Sequence, residues 1–411
     1  MALLRKLGIK RKLNKEDCFI ILLIMVWIRL IIVSYIYQAV LLIPHLSNFA
    51  NVLKIGIYIL VITLSLPFIL KKIKFRDVIF GLFICIIFVV NISVYPQTAE
   101  YLTKNADLFA IAFFSFYVGL VMENDKCISV LYSWSQLCMV AIIIHFIVFG
   151  LQSEVANGAG ENMGLAYRIL PHFCLIAMYA LNEKKVWDIV LSMVGGILLV
   201  ACGARGALLC GILFLVFYGI FISSPKSKWL LFPVIGGVVI FIYSNLSFCV
   251  KILGSVMNSM GYSTRILDAV LTGVLFDDNG RSEIKQFMFD LALKKPWIGY
   301  GIAGDRGWSS WMTYSHSIWL ELFVSYGFII GTMILIIISV LLISAFVYSN
   351  KHEKAFLLVM IFGGGFFKLF LSSSYLLEFQ FFMLMGYCLC LIRKYRKRKF
   401  LKIHRKKECN C

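Results

Sequence analysis

Apolar runs of about 18 residues or more recur from one end of this 411-residue chain to the other. A run of that length crosses the hydrocarbon core of a bilayer as a helix. The chain is 61% hydrophobic and only 15% charged, whereas soluble domains are nearer half apolar and a quarter charged. The pattern predicts an all-α polytopic membrane protein, organised as a single membrane domain over residues 1–411. About twelve transmembrane helices are expected, at about 18–37, 49–70, 77–95, 107–122, 127–150, 163–182, 186–202, 206–223, 228–247, 327–348, 355–371 and 376–392. The first follows the basic "RKLGIKRKLNK", is too long for a signal-peptide core and lacks a small-residue cleavage site, so it reads as a retained span.

Charge distribution sets the orientation. The formal charge is +19, but much of it lies in a basic tail at 393–411 and in the N-terminal segment. Blocks of this kind at membrane edges are topology signals and contacts to anionic lipid headgroups rather than a nucleic-acid surface. With both termini cytoplasmic, the inner loops and termini hold most of the 40 Lys and Arg. The short outer loops "QAVLLIPHLSN", "PQTAEYLTKNA" and "QSEVANGAGEN" hold Lys104 alone, as the positive-inside rule requires. Of the 12 cysteines, most sit in apolar runs and behave as small apolar residues. The closing Cys409 and Cys411 fall on the reducing side and make a poor metal site, since two ligands seldom suffice.

Residues 248–315 break the rhythm with one large extracytoplasmic loop, far beyond ordinary connection length. Within it, "RSEIKQFMFDLALKKPW" (281–297) puts Ile284, Phe287, Met288 and Leu291 on one helical face, with polar residues opposite and Pro296 as the stop. Such an amphipathic helix lies on the outer membrane surface or caps the bundle. His316 follows directly. From His316 to Asn350 is too long for one span of about 20 residues. The stretch therefore divides into an interfacial helix at about 315–325, a bend near Gly327, and the span proper.

Few polar residues remain at membrane depth or on the outer face, and each has a plain reading beside a chemical one. Arg205, in the turn "ACGARGALLC", either reaches toward headgroups or grips an anion bidentately. Arg281, opening the loop helix after "FDDNG", either pairs with Asp277 or Asp278 or receives a phosphate together with helix N–H groups. Arg168, near the outer end of the sixth span, is a third candidate, and Arg29 a weaker fourth. His172 reads as a packing histidine. His316 is either an interfacial packing residue or a base able to take a proton near neutral pH. The first outer loop has no Asp or Glu, and neither a phosphate-binding Walker A loop nor a G-x-S-x-G serine setting occurs.

"SHSIWLELFVSYGFIIG" resembles the histidine motif of the O-antigen ligase and polymerase superfamily of bacterial envelope enzymes, through His316, Leu320 and Gly327. "GRSEIKQFMFDLALKKPWIGYGIAG" (280–304) resembles the loop block upstream of it, through Arg281, Pro296, Gly299 and Gly301. "GARGALL" is similar to the family's Ser-Arg-Gly turn, at Arg205. The likeness covers about 160–335. Ser317, Ser325 and Ala204 depart from the usual Asn, acid and Ser.

The resemblance implies a cytoplasmic-membrane (inner-membrane) glycosyltransferase acting on the extracytoplasmic face. It would transfer a glycan from a polyprenyl-diphosphate carrier to an acceptor hydroxyl, with no metal and no cofactor. His316 is then the catalytic base, and Arg205, Arg281 and Arg168 bind the diphosphate or glycan. Its partners would be a polyprenyl-diphosphate-linked oligosaccharide, anionic lipids at the tail, and flippase and chain-length regulator proteins. A polymerase joining lipid-linked repeat units is the expected activity. A ligase passing the glycan to lipid A-core or another acceptor is the alternative, and a polysaccharide flippase the reading from another class.

Overall fold

The computed structural model describes residues 47–122, 125–149, 159–202, 204–223, 255, 281–308 and 314–408. Every regular element among them is helical. The expected spans at 18–37 and 228–247, Arg29, Asp277, Asp278, Cys409 and Cys411 lie outside these residues, as does most of the stretch 248–280.

Four of the described helices are long and apolar enough to cross a membrane: Phe75–Val94, Cys127–Ile144, Met163–Glu183 and Ile318–Tyr348. A fifth candidate is the pair Pro96–Lys104 and Ala106–Val121, bent by 75°. Much of the apolar surface on Phe75–Val94 and Ile318–Tyr348 stays exposed within the chain, which in water would be costly and in lipid is not. The chain is a multi-pass membrane protein.

The chain divides into two compact units that alternate along the sequence. One comprises Met1–Leu131, Gly280–Asn350 and Leu369–Cys411, the other Tyr132–Asn279 and Lys351–Lys368. In the first lie α1 (Ser47–Lys72), α2 (Phe75–Val94), the short α3 (Ala99–Lys104) and α4 (Ala106–Val121). Helix α5 (Asp125–Phe149) starts there and continues into the second unit, which also holds α6 (Ala159–Glu183), α7 (Val186–Ala201) and α8 (Arg205–Phe221). Helices α9 (Arg281–Lys294), α10 (Ile318–Tyr348) and α12 (Phe379–Glu408) return to the first, while α11 (Lys351–Met360) belongs to the second.

In the first unit, α4 and α12 meet backbone to backbone. A Cβ at Gly119 would strike Met383 O, and one at Gly386 would strike Phe116 O. Small residues at such a crossing let dispersion act over the whole contact, the main source of helix association in lipid. At one end Arg393 donates to both carboxylate oxygens of Asp77, at 2.9 and 2.5 Å. The basic segment beyond it continues as helix to Glu408.

In the second unit α6 is the buried centre, packed by α7 and α8. His172 sits wholly buried on α6, with Nδ1 3.0 Å from Ser135 Oγ, which agrees with a packing role. The expected span at 355–371 is not one regular helix. After α11 the chain makes a π-helical turn over Ile361–Gly365, with Gly364 at φ +118°, and then a 3₁₀ turn at Phe367–Phe370. Three consecutive glycines at 363–365 give the chain little reason to continue as helix.

The break in α10 falls at Gly327, where φ is +76° and ψ 171°. A break orphans the last carbonyls of the helix before it, and here a loop supplies the donors. Tyr300 N–H bonds to Val324 O at 2.8 Å and Gly301 N–H to Ser325 O at 2.9 Å, while Phe328 N–H bonds to Pro296 O at 2.7 Å. The fit leaves no room for side chains, since a Cβ on Gly327 would come within 2.6 Å of Pro296 O and Trp297 O, and one on Gly299 within 2.5 Å of Ser325 O. Gly327→Ala therefore meets both a left-handed backbone and a clash with main chain. A loss of at least about 2 kcal/mol is expected, read as a lower unfolding midpoint in detergent. An unchanged midpoint would mean that the break is not required.

Candidate active site

His316 stands just before the broken helix, and its placement is built from local sequence. Ser317 is extended and acts as the N-terminal boundary of α10, with Glu321 N–H bonded to its carbonyl at 2.9 Å. The Ser317 hydroxyl makes no capping bond, although serine is a residue that usually does. His316 itself has φ +53°, the left-handed region that few residues other than glycine enter and where histidine is among the tolerated ones. The turn is held by neighbours. Ser315 N–H donates to Asp305 Oδ2 at 3.0 Å, and Ser315 Oγ–H to Ser317 O at 3.2 Å. The Tyr314 ring lies 4.0 Å from the imidazole centroid, with its hydroxyl donating to Ser372 O at 2.8 Å.

Helix α9 seats Arg281 near this turn. Ile284, Met288, Leu291 and Ala292 form its buried face, against Leu320 and Val324 of α10. Phe287, expected on that face, is 37% exposed and stands at its edge. The apolar stripe is thus occupied by the short helical segment before Gly327. Arg281, first residue of α9, donates from Nη1 to Leu371 O at 2.9 Å.

Between these elements sits a buried charged cluster that the sequence reading did not single out. Arg306 is paired with Asp305, and its Nη2 donates to Glu321 Oε1 at 2.8 Å and to Ser374 Oγ at 2.5 Å. Glu321 Oε2 also accepts from Tyr375 N–H at 3.2 Å. The Arg306 guanidinium further faces the rings of Tyr101 and Tyr314, at 5.2 and 5.3 Å. Burial alone would lower its pKa, but the charges of Asp305 and Glu321 raise it above the ordinary arginine range, so Arg306 is always charged. The available signal was Glu321 itself, an acid inside the apolar run "SIWLELFV".

The imidazole of His316 is half-buried, and its Nδ1 has no hydrogen-bond partner among the described residues. Burial first, and then the positive charge of Arg281, push its pKa down to about 4, with Arg306 adding in the same direction. A backbone hydrogen bond to Ser372 and the charge of Asp305 act the other way. At neutral pH the ring is therefore neutral and holds a lone pair. Its contribution to folding is present above the unfolded value near 6.5 and is lost as pH falls through about 4. Removing the Arg281 charge, as in Arg281→Gln, should move the His316 titration upward toward 6.5. Histidine-resolved NMR across that range would detect it, and no upward movement would separate Arg281 from the ring.

Arg205 and Arg168 belong to the second unit. Arg205 is half-buried and opens α8 after Ala204, and Arg168 is half-buried on α6, one turn before His172. Next to Arg168 in sequence, the ring of Tyr167 lies 4.7 Å from Lys368 Nζ. Among the described residues no three His, Cys, Asp or Glu side chains converge as a metal-binding group.

Residues 190–336 match the family described as O-antigen ligase. This supports the O-antigen ligase/polymerase superfamily. No curated protein and no solved structure matches the chain. The O-antigen ligase match contains Arg205, Arg281, Pro296, Gly299, Gly301, His316 and Gly327, so the residues that carried the resemblance fall inside it. It also contains Asp305, Arg306 and Glu321. Arg168 lies outside it, as do Ser372, Ser374 and Tyr375, which bond to Tyr314, Arg306 and Glu321 respectively.

Proposed function

We propose that the chain is a polysaccharide polymerase of the outer face of the cytoplasmic membrane, taking a glycan from a polyprenyl-diphosphate carrier. The acceptor is a sugar hydroxyl of another lipid-linked repeat unit. The observation that carries this reading is a partly buried His316 at φ +53°, close enough to Arg281 to feel its charge, inside a segment similar to O-antigen ligases. Geometry and charge then suit one displacement. The acceptor oxygen attacks the anomeric carbon, its proton goes to His316, and the bond from that carbon to the diphosphate breaks. The diphosphate leaves with the electron pair, and its growing charge is stabilised by Arg281, which never loses its own. As that anion forms it also offsets the effect of Arg281 on the imidazole, making His316 a stronger base at the moment it is needed. For Arg205 and Arg168 the resemblance alone supports a role in holding diphosphate or glycan. The resemblance likewise implies that no metal takes part, and that flippase and chain-length regulator proteins are partners.

The family description favours a second reading, that of a ligase passing the glycan to lipid A-core or another acceptor. The two differ in product. The purified chain in vesicles, given only a polyprenyl-diphosphate oligosaccharide, should yield a ladder spaced by one repeat unit. Transfer that begins only when a second type of acceptor is added would establish the ligase instead. Donor that crosses the bilayer with no new glycosidic bond would mean a flippase and overturn both.

A further inference from the structure

The site holds more charge than base and clamp require. Asp305 is wholly buried, with one carboxylate oxygen engaged twice, by Ser315 N–H and by Arg306. The other, Oδ1, has no hydrogen-bond partner among the described residues. Arg306 is itself tied down by Glu321 and Ser374, and Glu321 by the Tyr375 N–H. The chain of contacts therefore runs from the 372–375 turn, through α10 and the glycine loop, to the residue that precedes His316. A carboxylate behind a histidine base is a recurring arrangement, because it orients the ring and stabilises the imidazolium that forms when the proton arrives.

We infer that Asp305, clamped by Arg306 and Glu321, is the positioning carboxylate of His316: it fixes the left-handed turn through Ser315 N–H. The inference rests on the base role proposed above. The charged and titratable groups around His316 are Arg281 from α9, Asp305 and Arg306 from the glycine loop, Tyr314 beside it, and Glu321 on α10. Glu378 acts on Tyr314. Of the charges that act on the ring among the described residues, that of Asp305 favours the imidazolium. Helix α10 supplies no other acid to this turn, since position 325 is a serine. That hydroxyl is buried and lacks a partner among the described residues.

The test is a double-mutant cycle on Asp305→Asn and His316→Asn, assayed for donor consumption, with a ¹⁵N-histidine NMR titration that needs no turnover. Asp305→Asn should lower kcat by about 10- to 10²-fold with KM little changed, less than the loss of the base itself at about 10²–10⁴-fold. In the His316→Asn background the same change should cost nothing further. The titration of His316 should move below its wild-type position. Asp305→Glu, which keeps the charge, should leave the titration near wild type and serves if the Asn variant fails to accumulate. An equal loss in both backgrounds, or a titration that does not move, would overturn the inference while leaving His316 as base. Full activity of His316→Asn alone would instead overturn the base assignment.

Discussion

Replacing His316 with Asn is expected to lower the rate of glycan transfer by about 10²–10⁴-fold, the range for removing a positioned general base. Asn is the better probe than Ala because the residue has φ +53°. Asn enters the left-handed region readily, whereas Ala there costs about 1–2 kcal/mol and would mix strain with lost chemistry. The amount of protein in the membrane and its unfolding midpoint should stay at wild-type levels. Because the ring is neutral down to about pH 4, the deficit should hold across the neutral range instead of vanishing above pH 7. A variant that makes product at the wild-type rate would remove His316 from the chemistry.

The second large effect is structural. Arg306→Ala leaves Asp305 and Glu321, both wholly buried, without the only cation paired to them among the described residues. Removing one partner of a buried pair costs about 3–5 kcal/mol, because the remaining charge stays desolvated and unpaired. Here two buried acids lose the same cation, so a cost within that range is expected. Thermal unfolding in detergent should show it as a sharply lower midpoint, together with less protein in the membrane. Glu321→Gln should cost less, about 1–3 kcal/mol. The amide still accepts from Arg306, but its NH₂ group would face the Tyr375 N–H that now donates to Glu321 Oε2 at 3.2 Å. If both variants unfold like wild type, the cluster is solvated and the pairing is incidental.

Apolar periodicity was enough for the membrane class and for most of the described helices, since a helix in lipid needs little more than length and hydrophobicity. The bend near Gly327 was legible because 35 residues from His316 to Asn350 exceed one crossing. The amphipathic face of α9 was legible except at Phe287, whose place is taken by Ala292, a residue too small to register in an apolar pattern. The candidate site was only half readable. His316 and Arg281 stood out through a motif, but Arg306 and Glu321 did not, because what makes them notable is each other. Arg306 lies in a loop and Glu321 on α10, so no helical periodicity links them, and Ser374 and Tyr375 join them from still further away. The interruption after α11 was hidden for a different reason. An apolar run with glycines reads as a span whether or not its backbone stays helical.

The contact between α4 and α12 has a consequence for biogenesis. These helices press main chain against main chain at Gly119 and Gly386, yet more than half of the sequence is translated between them. During insertion α4 must wait in the bilayer with that face open while the second unit and the whole loop region are made. Its glycine face has no helix partner of this kind until α12 arrives. The buried Asp77 waits in the same way, since Arg393, which neutralises it, lies on α12. Completion of the first unit therefore waits until α12 has been made.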